Sequence, residues 1–345
     1  MRKGKRWLSA IVMVTALALV AAACGGDDDG GGGGDGNEPS GLTGSVDISG
    51  SSTVEPISSL VSELFNESNP DVEISVAGPG TGDGFTLFCQ GDIDIADASR
   101  PIDEEDEAPV CADAGIEYQE LEIALDGITV MVNAESPIEC LTTADLYAIF
   151  GPESDGINST TDANALSKDV GGAGDMPAQD LEITAPGEES GTYDAFIDLA
   201  GIEDTALEHG VAEDAAAALR GDYNSSPNDN VIIQAMEGSP NAIGFAGFAF
   251  AENAGDAIKE VQIDAGDGCV GPSKDTIADA SYPLSRSLYI YPNLGTAGED
   301  ATLEAFVDFY LSDAGLTEAV EEANYVTLPP DRQEATRSAW QSAIS

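Results

Sequence analysis

Past residue 45 the chain alternates short apolar runs with helical stripes. Val46 and Ile48 are spaced as a strand and run through Gly50-Ser51-Ser52-Thr53 into Val54, Ile57, Leu60, Val61, Leu64 and Phe65, which recur at helical spacing. Val72, Ile74 and Val76 repeat the pattern, leading through a glycine loop to Phe85, Leu87 and Phe88 and then to Ile93 and Ile95. Leu121 to Leu125 precede Gly127 to Asn133, an uninterrupted apolar strand of the buried kind. Thr143 is the expected cap of a helix ending at Phe150, and the glycine- and aspartate-rich residues 151 to 178 read as an irregular surface excursion. Leu181 and Ile183 then form a strand before Tyr193, Phe196, Ile197 and Leu199. Helices are expected at 212–220, from 230, at 299–311 and at 330–340, with a strand at 288–291. Small and aromatic residues alternate from Ala242 to Phe250, as where two backbones pack closely. Strand and helix alternating in this way predict an α/β fold on a parallel sheet, and 345 residues suffice for two such domains.

The two ends of the first 45 residues have a different logic. Arg2, Lys3, Lys5 and Arg6 precede an apolar run that ends in Ala21-Ala22-Ala23-Cys24, the order of an export signal over residues 1–23. The run is short for a membrane span. Cys24 stands where a lipidated cysteine would become the mature N-terminus, although Ala21 occupies the position usually held by leucine. Residues 24–44, glycine and aspartate with almost nothing apolar, predict a flexible tether, and its Asp27 to Asp29 run lacks the spacing of a calcium loop.

Charge narrows the partners. The chain carries 12 basic and 64 acidic residues; losing the four basic residues of the signal leaves 8 against 64, a net −56. Nucleic acid and anionic membrane are thereby excluded, and a surface suited to a salty medium is expected. Cys89, Cys111, Cys140 and Cys269 remain, an even number in an exported chain. Of the three possible pairings the expected one joins Cys89 to Cys111, a local loop, and Cys140 to Cys269. A metal site is not expected, because no cysteines are closely spaced and His209 is the single histidine.

Three loops carry the candidate chemistry: Gly50-Ser51-Ser52-Thr53, Gly78-Pro79-Gly80-Thr81-Gly82-Asp83-Gly84, and Pro186-Gly187-Glu188-Glu189-Ser190-Gly191-Thr192. Each leads into a helix, whose first amides are unpaired and carry about half a positive charge, so three such starts suit an anion. In the first loop Ser52 or Thr53 is the expected N-cap, with Pro56 in the first turn favouring Thr53. Ordinary capping is the plain alternative for any one loop; their repetition favours a common ligand.

In this order the pieces resemble the phosphate-binding protein of the bacterial phosphate ABC transporter, the PstS family. The resemblance spans roughly residues 45 to 342. It rests on Gly50-Ser51-Ser52-Thr53-Val54 with Pro56, the Gly78 to Gly84 loop, Asp92-Ile93-Asp94-Ile95-Ala96, Ser99-Arg100-Pro101-Ile102, Ser190-Gly191-Thr192, Asn241-Ala242-Ile243-Gly244, Tyr282-Pro283-Leu284-Ser285-Arg286 and Tyr325-Val326-Thr327-Leu328-Pro329. It implies a type II periplasmic-binding-protein fold: two α/β lobes, 45–124 with 247–345 and 125–246, joined by a double-crossover hinge with the ligand cleft between them. Carried over by motif, the phosphate ligands are Ser51, Ser52, Thr53, Thr81, Ser99, Arg100, Ser190, Gly191 and Thr192. Two positions depart from the family layout: Ser99 stands where an aspartate accepts the ligand's proton, and Pro186 stands where an arginine precedes the Ser-Gly-Thr motif. Arg100 is therefore the expected cation, with Arg220 second; Arg220 and Arg286 also read as structural ion pairs, and a bridge from Arg100 to the 103–107 run is its own structural alternative. Asp97 is the expected proton acceptor, with Asp94, Glu188 and Glu189 as substitutes.

The implied function is a phosphate-binding lipoprotein on the outer face of the cytoplasmic membrane or in the periplasm. It delivers phosphate to permease subunits, without catalysis or cofactor, touches the membrane only through its lipid, and is monomeric. A tetrahedral oxyanion held without water needs about a dozen donors, which amides and hydroxyls supply as fixed dipoles. Binding of sulfate or another oxyanion, or a sensor without a permease, are the alternatives. A serine hydrolase would need a base beside Ser190, and His209 lies in a polar Glu208-His209-Gly210 segment.

Overall fold

The computed structural model describes residues 41–188, 190–298 and 300–345. The signal segment, Cys24, most of the tether and Glu189 lie outside the described residues. Among the described residues no helix is long and apolar enough to cross a membrane.

The strands, in chain order, are β1 (Gly44–Gly50), β2 (Val72–Ala77), β3 (Ile95–Ala98), β4 (Leu121–Asn133), β5 (Cys140–Thr142), β6 (Glu182–Ala185), β7 (Asn224–Ser225), β8 (Ala242–Gly247), β9 (Ile258–Glu260), β10 (Gln262–Asp264) and β11 (Ser285–Pro292). Nine of them form one sheet in the order β2-β1-β3-β11-β4-β8-β6-β7 with β9 on β4, while β10 pairs with β5. The sheet is mixed, not parallel as expected: β1 is parallel to β2 and β3, and β6 to β8, but β11 and β4 run antiparallel to their neighbours. The two parallel blocks are βα units, whereas β4 and β11 are the stretches that pass between blocks, and a passing strand can enter in either sense.

Two large cores hang on this sheet. In one, helix Glu55–Ser68 buries Ile57, Val61 and Phe65 against Val46, Ile48, Leu303 and Phe306, so the stripe read from the sequence is the buried face. In the other, Phe150, Phe196 and Phe245 stack and cross beside Val130, Val132 and Ile183. Thirteen-residue β4 belongs to both: Leu121 and Ile123 lie in the first core, Leu125, Ile128, Val130 and Val132 in the second. Past residue 247 the chain still contributes to the second core. Val261, Ile263, Ile277, Tyr282 and Leu284 pack in the second core, because β9 pairs with the far end of β4 and β10 with β5. β11 carries the chain back beside β3, with Leu288 and Ile290 in the first core, while Val326 and Leu328 again touch the second.

Both expected disulfides are present, Cys89–Cys111 across 22 residues and Cys140–Cys269 across 129. The second ties residues 258–270 to the second lobe. Three local expectations change. The excursion at 151–178 contains a helix, Thr160–Asp169, with Ser159 as its N-cap and Ala163 buried against the second core. Thr142, not Thr143, caps helix Thr143–Phe150, in a capping box with Asp145. The helix expected over 212–220 is only Glu213–Ala216.

Candidate functional site

The end of β1 is built for close approach. A Cβ on Gly50, whose φ is +147°, would lie 2.1 Å from the carbonyl oxygen of Asp97, and one on Gly84 would lie 2.5 Å from Gly50 Cα. Only glycine lets the first loop, the second helix and the end of β3 meet this tightly. The amide of Ser51 donates to Asp97 O at 2.8 Å and that of Gly80 to Gly50 O at 2.8 Å, fixing the first two loops side by side.

Neither Ser52 nor Thr53 caps the first helix. Residues 52–54 form a turn, Val54 and Glu55 donate to Ser51 O, and Ser51 Oγ accepts the Thr53 amide at 3.2 Å, while the N-cap position itself is Val54, with no side-chain cap. This leaves two hydroxyls for other partners. Ser52 Oγ donates to Asp194 Oδ2 at 3.4 Å, and Thr53 Oγ1 accepts from Arg286 Nη2 at 3.1 Å. Thr81, at the start of helix Thr81–Gln90, pairs with Ser99: the hydroxyls are 3.0 Å apart and the Ser99 amide donates to Thr81 Oγ1. In the third loop Ser190 does cap helix Gly191–Leu199, accepting from the Thr192 amide.

Ser51, Ser52, Thr53, Gly80, Thr81, Ser99, Arg100, Asp194, Asp198 and Arg286 enclose a cavity of about 330 Å³. Six of the sequence-selected residues thus face one space. Ser190, Gly191 and Thr192 do not line it, but Gly191 reaches its edge: a Cβ there would stand 3.2 Å from Ser52 O. Helix starts from both lobes therefore meet at the Ser52–Thr53 turn.

The charged residues depart most from expectation. Arg100 does line the cavity, yet both its terminal nitrogens hold Glu107 at 2.7 Å, and its side chain is 44% exposed over the Phe85 ring. The structural alternative, a bridge to the 103–107 run, is thus realised. Arg220 is elsewhere. Its donors go to Ile149 O, Ile157 O and Asp222 Oδ1 within the second lobe, beside a separate cavity that also contains Glu188. That pairing lowers Asp222 to about 2. Arg286, read from sequence as structural, is the more enclosed of the two cations lining the cleft: its side chain is 12% exposed and touches Thr53, Asp198 and Asp126.

Asp97 does not face the cavity as a proton acceptor must. Its Oδ1 takes the Ser58 hydroxyl at 3.0 Å, and Ser58 lies 3.0 Å from Tyr310 OH inside the first core. Oδ2 is buried without a partner among the described residues. Burial pushes this carboxyl up to about 7, against the Ser58 hydrogen bond and with help from Glu55. Asp94 accepts the Asp47 amide away from the cleft. The carboxylates at the cleft are instead Asp194 and Asp198. Burial raises Asp194, offset by Ser52 and Arg286. Sequence reading missed both, although their i, i+4 spacing directly after Ser190-Gly191-Thr192 puts them on one helix face. Asp126 had a signal too, a carboxylate between the apolar residues 123–125 and 128–132 of β4.

With this geometry in place the comparisons with known proteins are decisive for family. The PBP superfamily domain matches residues 36–314. The phosphate-binding protein PstS of Staphylococcus saprophyticus is 33% identical over 85% of this chain and 84% of its own length. The chain belongs to the PstS family. Protein SphX of Synechococcus elongatus is 35% identical, over 88% of this chain and 84% of that one. A solved structure of a possible phosphate binding protein from Planctomyces limnophilus superposes with a TM-score of 0.75 at 33% identity, covering 88% of this chain and all of the other. An ABC-type phosphate transport receptor from Vibrio cholerae has the same fold, with a TM-score of 0.60 over 82% of this chain and 99% of that chain, at 23% identity. The PstS-type chain thus has the periplasmic-binding-protein fold that its motifs implied, on two lobes bridged by β4 and β11.

Proposed function

We propose that this protein captures inorganic phosphate between its lobes and passes it, without chemistry, to the permease of a phosphate ABC transporter. The observation that carries the reading is the meeting at one cavity of hydroxyls from two helix starts, the edge of a third and a mostly buried arginine. Family membership supports the ligand, since PstS relatives bear the name phosphate-binding protein. Ser51, Ser52, Thr53, Thr81 and Ser99 give donors from one lobe and Ser190 to Thr192 from the other, with Arg286 as principal cation and Arg100 as an outer one. The lobes in this reading are 44–124 with 285–345, and 125–284. Donors fixed by the fold replace water around the anion, and contacts from both lobes favour closure, which is the state a permease would recognise.

Asp194 takes the part first sought at Asp97. A carboxylate in the cavity accepts a hydrogen bond from monohydrogen phosphate and repels sulfate, which has no proton at neutral pH. His209 pairs with Glu153, which supports binding over serine hydrolysis. Export and lipidation at Cys24 complete the proposal: the acidic domain is tethered outside the cytoplasmic membrane and works as a monomer.

Titration calorimetry with phosphate and sulfate in parallel tests the core of this reading. Phosphate should bind with sulfate silent; equal affinities would overturn the phosphate assignment in favour of a general oxyanion binder. Membrane fractionation of Cys24→Ser tests the anchor, the variant being expected in the soluble or secreted fraction.

A further inference from the structure

Arg286 leaves the start of β11 with its guanidinium already engaged on three sides. Nη2 donates to Thr53 Oγ1 at 3.1 Å, Nε stands 3.5 Å from Asp126 Oδ2, and Nη1 donates to Asp198 Oδ2 at 2.8 Å. These partners differ in how firmly they are held. Thr53 and Asp126 are buried, at 3% and 5% exposure, on the first loop and on β4. The Asp198 side chain is 65% exposed and comes from helix Gly191–Leu199 of the second lobe. Nε has no hydrogen-bond partner among the described residues, and an oxyanion that takes the Nη1 edge meets Asp198, the one of the three partners that can swing away without disturbing buried packing.

We propose that Asp198 is an internal competitor for the ligand, a carboxylate that occupies Arg286 until a more strongly charged anion displaces it. The inference rests on the phosphate reading above and adds a specificity-determining residue to it. Being tethered, Asp198 competes at a high effective concentration, so a singly charged carboxylate from solution gains nothing by replacing its equal. A doubly charged phosphate interacts with the guanidinium, the helix-start amides and the hydroxyls together, and so can win the exchange. The same bond links the lobes, because its two ends come from β11 and from the second-lobe helix. Asp198 therefore trades affinity for selectivity and also draws the lobes together.

The test compares Asp198→Asn with Glu203→Gln, which removes an exposed acidic charge from the first turn of the next helix. Phosphate is titrated into each by calorimetry, in the wild-type and Arg286→Lys backgrounds. Asp198→Asn should bind phosphate about tenfold more tightly than wild type, with acetate now competing measurably. Glu203→Gln should stay within about twofold, since it alters only the screened long-range field. The gain should shrink in the Arg286→Lys background, where the fork is gone. Unchanged or weaker binding in Asp198→Asn, or an equal gain in Glu203→Gln, overturns the proposal. If the wild-type protein binds no phosphate, the functional reading fails instead. The Arg286–Asp198 link is then judged by small-angle scattering without added anion: a larger radius of gyration in Asp198→Asn supports it, and an identical profile overturns it.

Discussion

Two arginines, Arg220 buried and Arg286 mostly so, each line a cavity of their own and hold different kinds of partner. Arg220 is 2% exposed and spends its hydrogen bonds on the carbonyls of Ile149 and Ile157 and on neighbouring Asp222, all within one lobe. It fastens the end of one helix to the loops around residues 157 and 222. Arg286 is nearly as enclosed, but its partners come from both lobes and include an exposed carboxylate. Burial alone therefore does not mark an anion site. In the proposed reading, what marks it is a cation whose partners can be exchanged, facing amides and hydroxyls at helix starts.

Substitutions at the two positions should separate these roles. Arg286→Ala is expected to have the largest effect on binding, a loss of about a hundredfold or more in phosphate affinity by calorimetry, since it removes the mostly buried charge opposite the anion. Retained affinity would place the cation elsewhere. Arg220→Ala should act on the fold, costing roughly 1–3 kcal/mol in denaturant melts by leaving the carbonyls of Ile149 and Ile157 without their partner. The protein that remains folded should bind phosphate within about threefold of wild type, and a large affinity loss there would blur the contrast between the two arginines.

A pH series sharpens the same contrast from the side of Asp97, which is buried like Arg220 but has no ion pair. Its carboxyl titrates near 3.8 when unfolded and at about 7 when folded. Between those values the native state keeps a proton that the unfolded chain has lost, so this group makes stability fall as pH rises from about 4 to 7 and level off above. Asp97→Asn should remove that slope, on the order of a few kcal/mol across the window. Parallel melting curves for variant and wild type would argue against it. Arg100→Ala should have the smallest effect, a few-fold loss of affinity at most, because its guanidinium is half exposed and held by Glu107. A loss as large as that of Arg286→Ala would reverse the ranking.

Local signals carried much of this protein. Apolar spacing gave helix Glu55–Ser68, β4, β11 and the terminal helix Pro330–Ala343, because burial of a periodic face is written in adjacent residues. Glycines at 50 and 84 and the hydroxyls at 51–53, 81 and 99 announced the cradle, since a helix start must be capped or must bind something. The cysteine pairing followed from spacing and export together. Nothing in adjacent residues could say that residues 258–284 fold back onto β4 and β5, or that the sheet would be mixed.

The choice of charged partners lay furthest beyond the chain read in order. Arg286 and Asp198 are 88 residues apart, and Arg286 and Thr53 are 233 apart. Whether an arginine meets a ligand, a carbonyl or a nearby glutamate is settled by which long-range surfaces the sheet brings face to face, and charge has no periodicity from which that can be read. Sequence alone thus determined an α/β chain with three glycine- and hydroxyl-rich loops leading into helices. Tertiary packing decided which cation and which carboxylates stand over them, because electrostatic pairing depends on distance in space and not on distance along the backbone.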